Sequence, residues 1–186
     1  TPVRAGATLV ISGLDGVQAH TRTLWRLLEH YRVPVYIFVT KMDFARRSRE
    51  DLLAELQREL SPAGQADGSP AFTEQAAMGS EELLEEYLET GALPEGAEAQ
   101  SVQARQVFPC WFGSGLKLDG VEDFLLGMEE CFLPRTWPDA FGARVFKISH
   151  DPQGNRLTWL KLTGGRLKVK DSIRVGETAA EGEESR

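Results

Sequence analysis

Pro34-Val35-Tyr36-Ile37-Phe38-Val39-Thr40-Lys41-Met42-Asp43 is the stretch from which the rest of the chain is read. Pro34 to Thr40 is β-branched and aromatic and lacks the polar alternation of a half-exposed strand, which predicts a strand buried on both faces. Upstream, Ala7-Thr8-Leu9-Val10-Ile11-Ser12 is a second short β-branched run, closed by the turn residues Gly13-Leu14-Asp15-Gly16. Between them, residues 17–31 carry helical spacing, with Leu24, Leu27 and Leu28 on one face and Trp25 beside them. Strand, helix and strand within roughly 35 residues make a βαβ unit, whose two strands are parallel.

Downstream the pattern continues. Residues 48–60 predict a helix with Leu52, Leu53, Leu56 and Leu60 inward and a capping box of Ser48 and Asp51. Residues 61–70 read as a loop. Residues 80–90 predict an acidic helix capped by Ser80 and stopped by Gly91 and Pro94, its charges forming a solvated face. Val107 to Phe112 is a third apolar run, in which Pro109 argues against a central position in a sheet. After the loop Gly113 to Gly120, residues 121–131 are helical. The period then changes. Residues 144–149, 156–162 and 166–170 alternate polar and apolar, separated by the turn signals Asp151-Pro152-Gln153-Gly154-Asn155 and Gly164-Gly165, and predict an antiparallel meander continued by residues 172–175. The expected division is 1–136 for the α/β part, 143–176 for the β part and 177–186 for a flexible tail.

Composition sets limits. The 186 residues hold 21 Lys and Arg against 28 Asp and Glu, a formal charge of −7, which argues against a broad basic face for nucleic acid. With 41% hydrophobic and 26% charged residues the chain is of ordinary globular type. Its two cysteines build no disulfide framework and no zinc spacing, so Cys110 and Cys131 read as small buried hydrophobes. His20, His30 and His150 are scattered along the chain, and Trp25, Trp111 and Trp159 fall in periodic segments that read as core. The longest strongly apolar run, Val33 to Val39, is far short of the roughly 20 residues of a membrane span. No signal-peptide pattern opens the chain, so a soluble cytoplasmic protein without a membrane partner is expected.

The chemistry lies where two strands end. One stops in Thr40-Lys41-Met42-Asp43 and another in Gly113-Ser114-Gly115-Leu116-Lys117. In an open parallel sheet, ligands bind beyond the carboxyl ends of the strands. An ionised Asp accepts two parallel hydrogen bonds from the ring N–H and exocyclic amine of guanine, whereas adenine has no such donor pair. A Lys stem can cover a ring face, and a Ser-Gly turn lets backbone N–H groups approach a carbonyl oxygen. Singly, each motif is also an ordinary way to solvate a strand end or close a loop; their order on two strands of one sheet makes purine recognition the favoured chemistry.

These residues resemble the translational GTPases of the elongation factor G and ribosomal-protection tetracycline-resistance type, with the tetracycline-resistance branch nearer. Residues 9–22, 34–43, 108–121 and 144–175 carry the resemblance, along with the acidic stretch 82–89. The resemblance implies an α/β fold, a partial parallel-sheet GTPase domain followed by the start of an antiparallel β-barrel. It implies GTP or GDP with Mg2+ as cofactors and the ribosome as partner of the parent protein. Thr40, Lys41 and Asp43 correspond to the family's N-K-x-D motif, with Asp43 reading the base and Lys41 packing on it. Ser114, Gly115 and Leu116 correspond to S-A-x, with the Gly115 N–H facing the base oxygen. Thr replaces Asn at 40 and Gly replaces Ala at 115. No G-x-x-x-x-G-K-S/T occurs in the sequence, so the chain is expected to bind guanine nucleotide weakly, not to hydrolyse GTP, and to carry neither catalytic residues nor metal ligands. The resemblance also implies that residues 7–12 lie at an open sheet edge and mediate self-association. Two other readings stand beside it: a non-enzymatic α/β scaffold making protein or ribosomal RNA contacts, and an unrelated doubly wound domain with another small ligand.

Overall fold

The structure is a computed structural model that describes residues 6–132 and 137–172. The chain divides into two compact units, Thr1–Arg135 and Thr136–Arg186. In the first unit, β1 (Ala7–Ser12), β2 (Val35–Thr40), β3 (Gly64–Ala66) and β4 (Phe108–Phe112) form one sheet in the order β1-β2-β4-β3. Every pairing in it is parallel, with Ala7↔Val35 to Ser12↔Thr40, Ile37↔Cys110 to Val39↔Phe112 and Gly64↔Phe108 to Ala66↔Cys110. The helices are α1 (Ala19–His30), α2 (Arg49–Glu59), α3 (Pro70–Ala77), α4 (Glu81–Thr90), α5 (Ala97–Gln103) and α6 (Val121–Glu130). The parallel α/β architecture agrees with the sequence reading.

Strand alternation sends apolar side chains to two cores. Leu9, Ile11, Val35, Ile37, Val39, Phe108, Cys110 and Phe112 meet Trp25 and Leu28 of α1 and Leu52 and Leu56 of α2 on one face. Tyr36, Phe38 and Trp111 meet Phe72, Ala76 and Val102 on the other, with Phe124 and Met128 of α6 packed alongside. β2 is therefore covered on both sides, as its lack of alternation predicts. Trp25 stacks edge-on against Phe108 at 4.8 Å, and the Arg105 guanidinium lies 5.3 and 5.0 Å from the two rings. Burial pushes the Tyr36 hydroxyl up to about 12; it donates to the Cys131 carbonyl at 3.2 Å and accepts from Gln103. The Ser48 and Asp51 capping box of α2 forms, and α4 ends in the left-handed Gly91.

Several expectations are corrected. β4 is central despite Pro109. The Gly113 N–H bonds the Val39 carbonyl of β2, so by alternation the missing N–H of Pro109 faces β2 ahead of the first registered pair, Ile37↔Cys110, and no registered ladder bond is lost. Residues 64–66 form β3 rather than loop, and α3 and α5 have no counterpart in the sequence reading. The buried residues of α1 are Trp25 and Leu28, while Leu24 and Leu27 stay exposed. In the second unit β5 (Gly142–His150) and β6 (Arg156–Gly164) pair antiparallel across the Asp151–Asn155 turn, but residues 166–170 form no strand. Instead the chain turns there, with the Asp171 N–H on the Lys168 carbonyl and the Lys168 N–H on the Asp171 carboxylate. Trp159 is not core: it is 48% exposed and donates its indole N–H to Ser149, because the hairpin has no second layer among the described residues. The expected strand at 172–175 and the tail 177–186 lie outside the described residues, save Ser172.

Candidate functional site

The carboxyl ends of the neighbouring strands β2 and β4 lead into the two loops singled out in the sequence, and the loops meet. The Met42 N–H donates to the Gly113 carbonyl at 3.0 Å, which extends the β2–β4 ladder one step past the strands. The Gly115 N–H donates to the Thr40 hydroxyl at 3.2 Å. The Lys117 ammonium stands 3.5 Å from a carboxylate oxygen of Asp43. Thr40, Asp43 and Gly115 are thus brought within one set of contacts.

Local sequence explains the shapes. Gly113 has its N–H on Val39, and a Cβ there would sit 2.1 Å from the Asp119 carbonyl oxygen, so only glycine fits. Ser114 is buried. Its N–H donates to that same Asp119 carbonyl and its hydroxyl accepts from the Lys117 N–H, which closes the loop on itself. The Ser114 side chain is consequently part of the loop's frame, while Leu116 is 85% exposed at its tip. Lys41 takes a left-handed backbone, φ 61°, a conformation that non-glycine residues adopt at a cost of about 1–2 kcal/mol. The Asp43 side chain retains only 10% of its exposure, although its residue as a whole is open to solvent.

Two groups at the same sheet edge lie beyond what the sequence assigns to the site. Lys117 stands in the quoted Gly113–Lys117 stretch, but no spacing rule ties it to a carboxylate on another strand. Asp67, in a segment read as loop, follows β3 and accepts the Trp111 indole N–H at 2.9 Å. Burial raises its carboxyl above the ordinary range, with Glu130 and Glu98 adding to the rise. Asp67, Trp111, Phe112 and Gly120 line an open cleft of about 460 Å³ reaching to Arg49 and Leu53 of α2. This cleft is separate from the Thr40, Asp43 and Gly115 contacts. Both cysteines are buried, and burial pushes the Cys131 thiol up to about 12 and that of Cys110 higher still, so neither is a reactive thiolate. Among the described residues no group of three or more His, Cys, Asp or Glu is placed to hold a metal ion, and no helix is long and apolar enough to cross a membrane.

The sheet is a doubly wound parallel α/β sheet, a class of fold whose ligands bind beyond the carboxyl ends of the strands, where these two loops meet. Residues 3–134 match the family model described as the elongation factor Tu GTP binding domain, and the chain belongs to that family. It is 31% identical over 199 residues to the oxytetracycline resistance protein of Streptomyces rimosus, covering 90% of this chain and 30% of that protein. It is 29% identical over 192 residues to the tetracycline resistance protein TetM from transposon Tn916 of Enterococcus faecalis, covering 92% and 30%. The chain thus spans about a third of the length of these relatives. A crystal structure of a protein from Thermus thermophilus shares the fold, with a TM-score of 0.71 at 24% identity over 90% of this chain and 33% of that one.

Proposed function

We propose that this chain is the base-reading part of a translational GTPase domain of the tetracycline-resistance branch. Asp43 accepts the ring N–H and exocyclic amine of guanine, Lys41 covers the ring face, and Thr40, Ser114, Gly115 and Leu116 shape the pocket, with the Gly115 N–H turned to the base oxygen. The contact of the Thr40–Asp43 and Ser114–Lys117 loops beyond β2 and β4 carries this reading. The groups present suit a base: a carboxylate for a donor pair and a glycine N–H for a carbonyl oxygen. The phosphates of GTP or GDP and their Mg2+ are held, in the whole protein, by segments other than these, and this chain does not itself hydrolyse GTP. The whole protein acts on the ribosome, in the cytoplasm. Residues 1–136 are the GTP-binding part and residues 143–176 the first portion of a β-barrel.

Calorimetric titration with GDP, GMP and AMP tests the assignment. Guanine ligands bind and AMP does not, and Asp43→Asn removes the preference by breaking the paired acceptance. Indifference to the base in the wild-type chain overturns the assignment and leaves a scaffold that contacts protein or ribosomal RNA.

β1 supports a second proposal, self-association. Among the described residues it is an edge strand, its Val10 is 60% exposed, and the Ser12 hydroxyl at its end is buried without a hydrogen-bond partner. A second copy pairing along residues 7–12 would complete the edge.

A further inference from the structure

We propose that the base-reading groups are latched by contacts that compete with a base for them, and that Lys117 is the latch on Asp43. The proposal rests on the guanine-reading assignment above and concerns how that same site is held closed. Three contacts join the two loops. One, the Met42 N–H on the Gly113 carbonyl, continues the sheet and uses no group assigned to the base. The other two occupy the reading groups themselves. Asp43 has the Lys117 ammonium at 3.5 Å, and the Gly115 N–H is spent on the Thr40 hydroxyl at 3.2 Å. Binding is therefore an exchange. Guanine's N–H pair displaces the ammonium, and its carbonyl oxygen draws the Gly115 N–H away from Thr40, while the backbone bond keeps the loops in register.

The geometry makes Lys117 the removable partner. Its side chain is 64% exposed and that of Asp43 10%, so the cation closes the solvent side of the carboxylate and swings out on a flexible stem. An exposed ion pair of this kind is weak, so the latch tunes affinity rather than forbidding binding. It also sharpens discrimination. A base with no donor pair displaces the ammonium and returns nothing to Asp43, which leaves a covered carboxylate unpaired. Lys117 acts on the base through Asp43 and is a positioning residue.

A neutral ligand exposes the latch. Guanosine carries no phosphate, so salt screens nothing in its own contacts and weakens only the ion pair it must break. The 186-residue chain is titrated with guanosine and adenosine at low and high salt, as wild type, Lys117→Met and Lys117→Arg. The wild-type chain binds guanosine more tightly as salt rises. Lys117→Met binds it about two- to fivefold more tightly than wild type at low salt, with no salt dependence, and Lys117→Arg restores the wild-type pattern. In parallel, the Asp43 carboxylate carbon resonance is followed without ligand. It moves with salt in the wild type and not in Lys117→Met. Guanosine bound equally by wild type and Lys117→Met, or a salt-insensitive wild type, overturns the latch and leaves the guanine assignment standing. Guanosine ignored by all three chains while the Asp43 resonance still responds to salt overturns the assignment, and the latch with it.

Discussion

Gly113 and Gly115 stand two residues apart in one loop and carry different constraints. A Cβ on Gly113 collides with the Asp119 carbonyl at 2.1 Å, whereas one on Gly115 meets only the Thr40 hydroxyl at an ordinary 3.5 Å. Gly113→Ala is expected to cost on the order of 1–3 kcal/mol in chemical denaturation. Gly115→Ala is expected to change stability by less than about 0.5 kcal/mol. Equal losses at both positions would contradict the loop geometry. Asp67 gives a pH prediction. Its carboxyl is raised chiefly by burial, so the folded state holds a proton more tightly than the unfolded one. Stability therefore falls as pH rises from the unfolded pKa through the folded one, and the charge is a penalty above that window. Asp67→Asn keeps an acceptor for the Trp111 indole and should melt higher than wild type at neutral pH, with the gain vanishing in acid. A lower melting temperature at neutral pH would show that the charge itself is needed. At this scale the meeting of the Thr40–Asp43 and Ser114–Lys117 loops was legible, because both leave the carboxyl ends of neighbouring strands. The Lys117–Asp43 and Asp67–Trp111 contacts were not, because those partners lie 74 and 44 positions apart and are joined only by the fold.

Elements announced themselves in proportion to length and to the strength of their end signals. The helices with Ser caps near residues 48 and 80 were legible from the hydroxyl and the apolar spacing together. The three residues of β3, Gly-Gln-Ala, carry no period at all and owe their strand state to pairing with β4. On α1, Trp25 and Leu28 were legible as core, but Leu24 and Leu27 are exposed, because leucine spacing alone does not say which of two adjoining stripes meets the sheet. The expected strand at 166–170 had the right alternation but no partner strand among the described residues. β1 yields the element-scale prediction. It carries no charged residue, its Val10 is exposed, and among the described residues it pairs on one side with β2 alone, features that leave pairing unopposed. Light scattering at high micromolar concentration should find the wild-type chain associated and Val10→Lys monomeric. A wild-type chain that stays monomeric there would contradict pairing through residues 7–12.

Across the whole molecule, the parallel sheet and the separate antiparallel pair were legible because the hydrophobic period changes between the two units. The match to the elongation factor Tu GTP binding domain family, residues 3–134, falls on the parallel-sheet unit. With a formal charge of −7 the chain has no general attraction for phosphate, so the guanine recognition we propose has to come from the base edge itself. The most direct test is amide chemical-shift mapping with GMP and AMP. GMP should produce saturable shifts at residues 40–43 and 113–117, absent with AMP and lost in Asp43→Asn. Equal shifts with the two nucleotides, or GMP shifts centred on the cleft beside Asp67 and Trp111, would contradict the account.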